Sequence, residues 1–234
     1  MASDPASPRV KVCGITNLTD AELAVELGAW ALGLIFYPRS PRRCRLTDAE
    51  EMVASLRRRV VLCGVFVNAT LVEVTRVHER LGLGMVQLHG DEGPAFCGEV
   101  ARRTGARVIK AAPVTARADL QDLERFHTDF HLLDSRVDGL RGGTGTTFDW
   151  ELLAHRRSDV PLILSGGLHA GNVTEAMRMA GPFAVDTASG TELEPGRKDP
   201  GRLAEFFAAV SGGAEGEDDI APAAPAPVSA RAGA

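Results

Sequence analysis

The chain has 234 residues, 44% of them hydrophobic and 24% charged, with a formal net charge of -5 and a pI near 5.7. That length matches one large core, close to the ~250 residues of a single α/β barrel, and the acidic balance excludes a nucleic-acid surface, since the arginine-rich stretches at 42–45 and 57–59 are too short to reverse it. No run approaches the ~20 apolar residues that span a bilayer, so a cytoplasmic location without a membrane partner is expected.

Residues 1–9 are small and polar and are expected to be a flexible N-terminus. From there, short β-branched or apolar runs alternate with longer amphipathic ones, the pattern of repeated βα units. The predicted strands are Val10–Ile15, Ala31–Phe36, Val60–Val67, Met85–His89, Arg107–Ala111, Phe130–Asp134, Pro161–Ser165 and Phe183–Thr187. Helices are predicted near 19–27, 47–58, 70–81, 93–103, 117–126, 148–154, 170–179 and 199–210, with Thr19, Thr47 and Asn172 as capping residues. Eight strands each followed by a helix predict a single (β/α)8 barrel over 10–211. Residues 212–234, rich in Ala, Pro, Gly and acid, read as a disordered tail.

The carboxyl ends of barrel strands build the active site. At the end of the first strand stands Cys13, and at the end of the sixth stands Asp134. The four cysteines, Cys13, Cys44, Cys63 and Cys97, show neither the spacing of a zinc site nor that of a disulfide framework, and the last three read as packing or surface residues. Ser165-Gly166-Gly167 after strand seven and Ser189-Gly190 after strand eight lie in the two loops that form a barrel phosphate site. There backbone N–H groups approach an anion closely, and a short helix after Ser189 is expected to add a favourable dipole. Gly142-Gly143-Thr144-Gly145 lacks the spacing of a dinucleotide loop and reads instead as a mobile cover. Arg42 is placed to pair bidentately with a substrate carboxylate.

Six ordered segments together resemble the phosphoribosylanthranilate isomerase family: 11–16, 33–42, 64–68, 86–92, 142–150 and 164–168. The run Val-Asp-Thr-Ala-Ser-Gly-Thr-Glu at 185–192 and Lys198-Asp199 extend the resemblance over nearly the whole chain. The resemblance implies a TIM barrel and an Amadori rearrangement in tryptophan biosynthesis. N-(5-phosphoribosyl)anthranilate would become 1-(2-carboxyphenylamino)-1-deoxyribulose 5-phosphate, with no metal and no organic cofactor. It implies Cys13 as general base, Asp134 as general acid and Arg42 as the contact for the anthranilate carboxylate. Gly166, Gly167, Ser189 and Gly190 would be phosphate ligands, with His89 and Asp186 lining the site. Ala188 departs from the family, which more often has a second serine there.

The chemistry suits the pair. Opening the ribose ring needs a proton on the ring oxygen, so the acid has to start protonated, which apolar burial or nearby negative charge favours. Removing the C2 proton beside the resulting iminium needs a thiolate, and Lys11, on the same strand face as Cys13, is expected to favour one. Two rival functions remain at this stage. One is a barrel serving the ProFAR substrate of histidine biosynthesis, alone or as a dual enzyme, for which a carboxylate would be expected in place of Cys13. The other is an inactive phosphate-binding barrel acting as regulator or scaffold. A small phosphorylated substrate is the expected partner, and either a monomer or a homodimer fits.

Overall fold

Eight runs rich in Val, Ile and Leu become strands that pair in parallel, each with its sequence neighbour, and the eighth pairs back onto the first. The computed structural model describes residues 8–134, 153 and 156–213. Its first half runs β1 (Arg9–Cys13), α1 (Leu18–Glu26), β2 (Ala31–Ile35), α2 (Leu46–Leu56), β3 (Val61–Phe66), α3 (Leu71–Leu81), β4 (Met85–Leu88) and α4 (Pro94–Thr104). The second half runs β5 (Arg107–Pro113), α5 (Arg117–Leu123), β6 (Phe130–Asp134), β7 (Leu162–Ser165), α6 (Val173–Ala180) and β8 (Ala184–Thr187). A one-turn 3-10 helix (Ser189–Thr191), the hairpin β9 (Glu192–Glu194) and β10 (Arg197–Lys198), and α7 (Pro200–Gly212) complete it. The fold is thus the expected (β/α)8 barrel. The helix predicted at 148–154 lies, except for Leu153, outside the described residues, as do the glycine-rich loop at 142–145 and the tail from 214.

Alternation along each strand divides the molecule into two cores. The outward residues, such as Val10, Val12, Leu32, Leu34, Val86 and Leu88, pack against the helices together with Met52, Leu56, Leu203 and Phe206. Each such fully buried side chain contributes about 1.5–3 kcal/mol. Ala31, Cys63, Met85, Ile109, Phe130, Leu132, Ile163 and Ala184 fill the barrel. At its amino end Trp30, Phe130 and Phe183 form a ring cluster with centroids 5.2–5.6 Å apart. Arg9 lies over Phe183 at 4.4 Å, and Arg107 lies over Trp30 and Phe130 at 5.8 and 5.5 Å. That end is therefore stoppered by aromatic packing.

Several starts differ from the predictions. Asn17, not Thr19, caps α1, its side chain accepting from the Asp20 N–H at 2.9 Å. The cap of α2 is Arg45, and Thr47 sits inside the helix with its hydroxyl on Asp48. Asn172 does occupy the cap of α6, yet its oxygen turns back to the His169 N–H at 2.8 Å instead of capping the helix. Thr70 and Glu73 form a full capping box at α3.

Candidate active site

In a parallel ladder, paired residues share a face. Lys11 pairs with Ala31 and with Asp186, and Cys13 with Gly33, so all of these face the barrel interior filled by Ala31. Asp134 pairs with Ser165 across β6 and β7. The interior thus changes from aromatic at the amino end to polar at the carboxyl end, where Cys13, Asp134, Ser165 and Asp186 stand on strand ends.

Cys13 is buried, and an ideal Cβ on Gly33 would come within 2.6 Å of its Sγ, so only glycine leaves the thiol room there. Burial holds the thiol above its ordinary value; Lys11 pulls against this, Asp186 reinforces it, and Lys198 pulls against it again. Lys11 thus favours the thiolate, the direction expected of it, but burial outweighs that effect. Lys11 is fully buried and its Nζ donates to Asp186 Oδ1 at 2.8 Å, so its charge is matched on the spot. Burial works against that ammonium, but above all the Asp186 carboxylate raises Lys11 beyond the ordinary lysine value. Asp186 also accepts from the Ser165 hydroxyl through Oδ2 at 3.1 Å, which fixes it between β1 and β7.

Asp134 is part-exposed, its side chain 24% accessible, and its Oδ2 lies 3.5 Å from His89 Nε2. Gln87 Nε2 lies 2.8 Å from His89 Nδ1. The His89 ring thus bridges the Gln87 amide and the Asp134 carboxyl through its two nitrogens.

The two glycine loops after β7 and β8 are joined. Gly166 and Gly167 have φ of +96° and +66°, and the Thr187 hydroxyl donates to the Leu168 carbonyl at 3.1 Å. An ideal Cβ on Gly190 would sit 2.0 Å from that same carbonyl, so the β8 loop approaches the β7 loop only because residue 190 has no side chain. The helix expected after Ser189 is a single 3-10 turn of three residues, so little dipole is added.

Arg42, expected to pair with a substrate carboxylate, already holds a carboxylate of the chain itself. Its Nε donates to both Glu192 oxygens at 2.9 Å and its Nη2 to Oε2 at 2.7 Å. Burial works to raise Glu192, but the Arg42 fork and then the Lys198 charge hold it below the ordinary carboxylate range. Lys198, nearly fully buried, donates to the Cys13 carbonyl at 2.8 Å, the Ala188 carbonyl at 3.0 Å and Glu192 Oε1 at 3.3 Å. The Lys198 amide in turn donates to Asp20 at 2.8 Å. The roles of Glu192 and Lys198 were not read from the sequence, and β9 and β10, which carry them, were not predicted. The cysteines other than Cys13 are all buried, and burial first of all raises Cys44 and Cys63 to about 12 and Cys97 to about 11, as befits packing residues.

A closed parallel barrel with the Cys13 thiol and the Asp134 carboxyl at the carboxyl ends of two of its strands, beside two adjoining glycine loops, defines a (β/α)8-barrel enzyme. The model of the N-(5'-phosphoribosyl)anthranilate (PRA) isomerase family matches residues 10–209. The N-(5'-phosphoribosyl)anthranilate isomerase of Magnetococcus marinus is 43% identical over 202 residues, covering 86% of this chain and 94% of the relative. The crystal structure of the Thermotoga maritima enzyme superposes with a TM-score of 0.80 at 41% identity, covering 88% of this chain and 99% of that one. A phosphoribosylanthranilate isomerase solved in complex with reduced 1-(o-carboxyphenylamino)-1-deoxyribulose 5-phosphate superposes at 0.75 with 38% identity, covering 88% of this chain and 99% of that one. The chain belongs to the phosphoribosylanthranilate isomerase family. It is an aldose-ketose isomerase of tryptophan biosynthesis, performing the Amadori rearrangement of N-(5-phosphoribosyl)anthranilate, and neither rival function is favoured. Among the described residues, no helix is long and apolar enough to cross a membrane.

Proposed function

We propose that Asp134 is the general acid of this rearrangement and Cys13 its general base. The supporting observation is that both end interior-facing strand positions at the same mouth, Cys13 on β1 and Asp134 on β6. Asp134 gives its proton to the ribose ring oxygen as the C1–O bond breaks, leaving a Schiff base. The Cys13 thiolate then removes the C2 proton. The resulting enolamine gains a proton at C1 and loses one from the C2 hydroxyl as it becomes the ketone. His89 lines the acid's side of the mouth and Asp186 the base's side, both acting by orientation.

Arg42 receives the anthranilate carboxylate on its Nη1/Nη2 edge while Glu192 holds the Nε/Nη2 edge, an arrangement supported by the two bidentate faces of a guanidinium. Gly166, Gly167, Ser189 and Gly190 receive the phosphate, supported by the backbone approach that Gly190 alone permits. The ligand of the related complex carries a carboxyl and a phosphate, the two anions these features suit. Every assigned residue comes from one barrel, so a monomer and a homodimer both carry a whole site. A cytoplasmic setting belongs to the same reading, because Cys13 has to stay reduced to act as a base.

Cys13→Ser and Asp134→Asn test the assignment. Each is expected to lower kcat by at least ~100-fold with little change in KM, followed by the fluorescence of substrate consumption. Turnover near that of the wild type in either variant removes that residue from the mechanism.

A further inference from the structure

Of the two lysines beside Cys13, one has a carboxylate to itself and the other shares one. The Lys11 ammonium and the Asp186 carboxylate are 2.8 Å apart and sum to zero. On the other side, Arg42 and Lys198 share the single carboxylate of Glu192, at 2.7 and 3.3 Å. The three sum to one positive charge, and the member nearest the thiol is Lys198, whose Nζ is bonded to the Cys13 carbonyl. The same Nζ holds the Ala188 carbonyl at the end of β8, just before the proposed phosphate loop.

We propose that Lys198 is a positioning residue of the reaction: it ties the carbonyl end of β1 to that of β8 behind Cys13 and keeps the excess positive charge of the Arg42–Glu192–Lys198 cluster beside the thiol. The proposal rests on the reading of Cys13 as base. Glu192 sets the balance, because it steers both cations and opposes their effect on the thiol. The other titratable groups facing Cys13 are Lys11 on its own strand, Cys63 on β3 and Asp186 on β8. Asp186 offsets Lys11 only in part, and Cys63 is neutral, so the burial of Cys13 is opposed first by Lys11 and then by Lys198, the end of the cluster beside the thiol. Burial also pulls the Lys198 ammonium below its ordinary value, with Glu192 opposing this, so the cation depends on its carboxylate partner.

The test reads the Cys13 thiol directly, as the pH midpoint of ultraviolet thiolate absorbance in the full-length protein minus that of Cys13→Ser, alongside the pH profile of kcat. Lys198→Met is expected to raise the midpoint by about one pH unit and to lower kcat at neutral pH about 10-fold, with KM within about 3-fold. Lys198→Arg is expected to restore most of the midpoint. Glu192→Gln is expected to move it the opposite way, downward, while raising KM through the loosened Arg42. General structural damage would move both variants in one direction. An unmoved midpoint in a folded Lys198→Met, or shifts of the same sign in Lys198→Met and Glu192→Gln, overturns the proposal. Should Lys198→Met not fold, a midpoint in Glu192→Gln that stays or rises overturns it equally. Full turnover in Cys13→Ser would instead overturn the reading of Cys13, leaving the midpoints to judge the charge balance by itself.

Discussion

The two ends of the barrel are built by the same strands, yet one is closed by rings and the other lined with charge. β6 carries Phe130 in the aromatic stopper and, four residues on, Asp134 at the mouth. β1 carries Arg9 over Phe183 and then Lys11 and Cys13. Two steps of the side-chain alternation separate a residue that holds the barrel shut from one at its open mouth. Stability and turnover are thereby divided along the strand axis, and a substitution reports on one or the other according to its height in the barrel.

The strongest break of this comparison is Phe130→Ala at the closed end. It is expected to cost about 3 to 5 kcal/mol of stability, lowering Tm by roughly 10 °C, while kcat of the folded enzyme at room temperature stays near the wild-type value. A comparable loss of kcat would show that the two ends are not independent. At the open end, Arg42→Ala is expected to raise KM about 10- to 100-fold, as for a lost charged hydrogen bond, with the melting temperature little changed. A substrate analogue without the carboxyl group should bind wild type and variant equally.

A smaller effect lies outside both ends, at His131 on the helix-facing side of β6, whose Nε2 is 2.7 Å from the Phe126 carbonyl. Burial lowers its pKa, with the neighbouring Arg156 and His127 charges adding to this against the Phe126 bond. The unfolded chain therefore takes up a proton near pH 6.5 that the folded chain refuses, and stability falls as the pH drops below that value. In His131→Asn this segment of the curve of Tm against pH is expected to flatten, a change of about 1 kcal/mol or less. An unaltered slope would assign it to carboxylates.

β6 was legible to the residue, since its apolar run is bounded on both sides, and the strand-end positions of Cys13 and Asp134 could be read from the same pattern. The ends of helices were less legible. At α1 both Asn17 and Thr19 are capping types, and the backbone chose the one whose oxygen reaches the Asp20 amide. The charge partners of the mouth left no local trace at all. Arg42 meets Glu192 across 150 residues and Lys198 meets the Cys13 carbonyl across 185, so no spacing in the chain announces them. Lys11 shows the same blindness: its place on the face of Cys13 was readable, whereas the Asp186 that matches its charge arrives from 175 residues away.

The pairing of β1 with β8 is also the seam at which the chain's beginning meets its end. Cys13 lies on one side of that seam, while Asp186, the Ser189-Gly190 loop and Lys198 lie on the other. A nascent chain accordingly has no working mouth until its last strand has docked, and turnover becomes a gauge of complete ring formation. Fragments cut anywhere between β1 and β8 would have to reassemble before regaining activity, however well each half were folded.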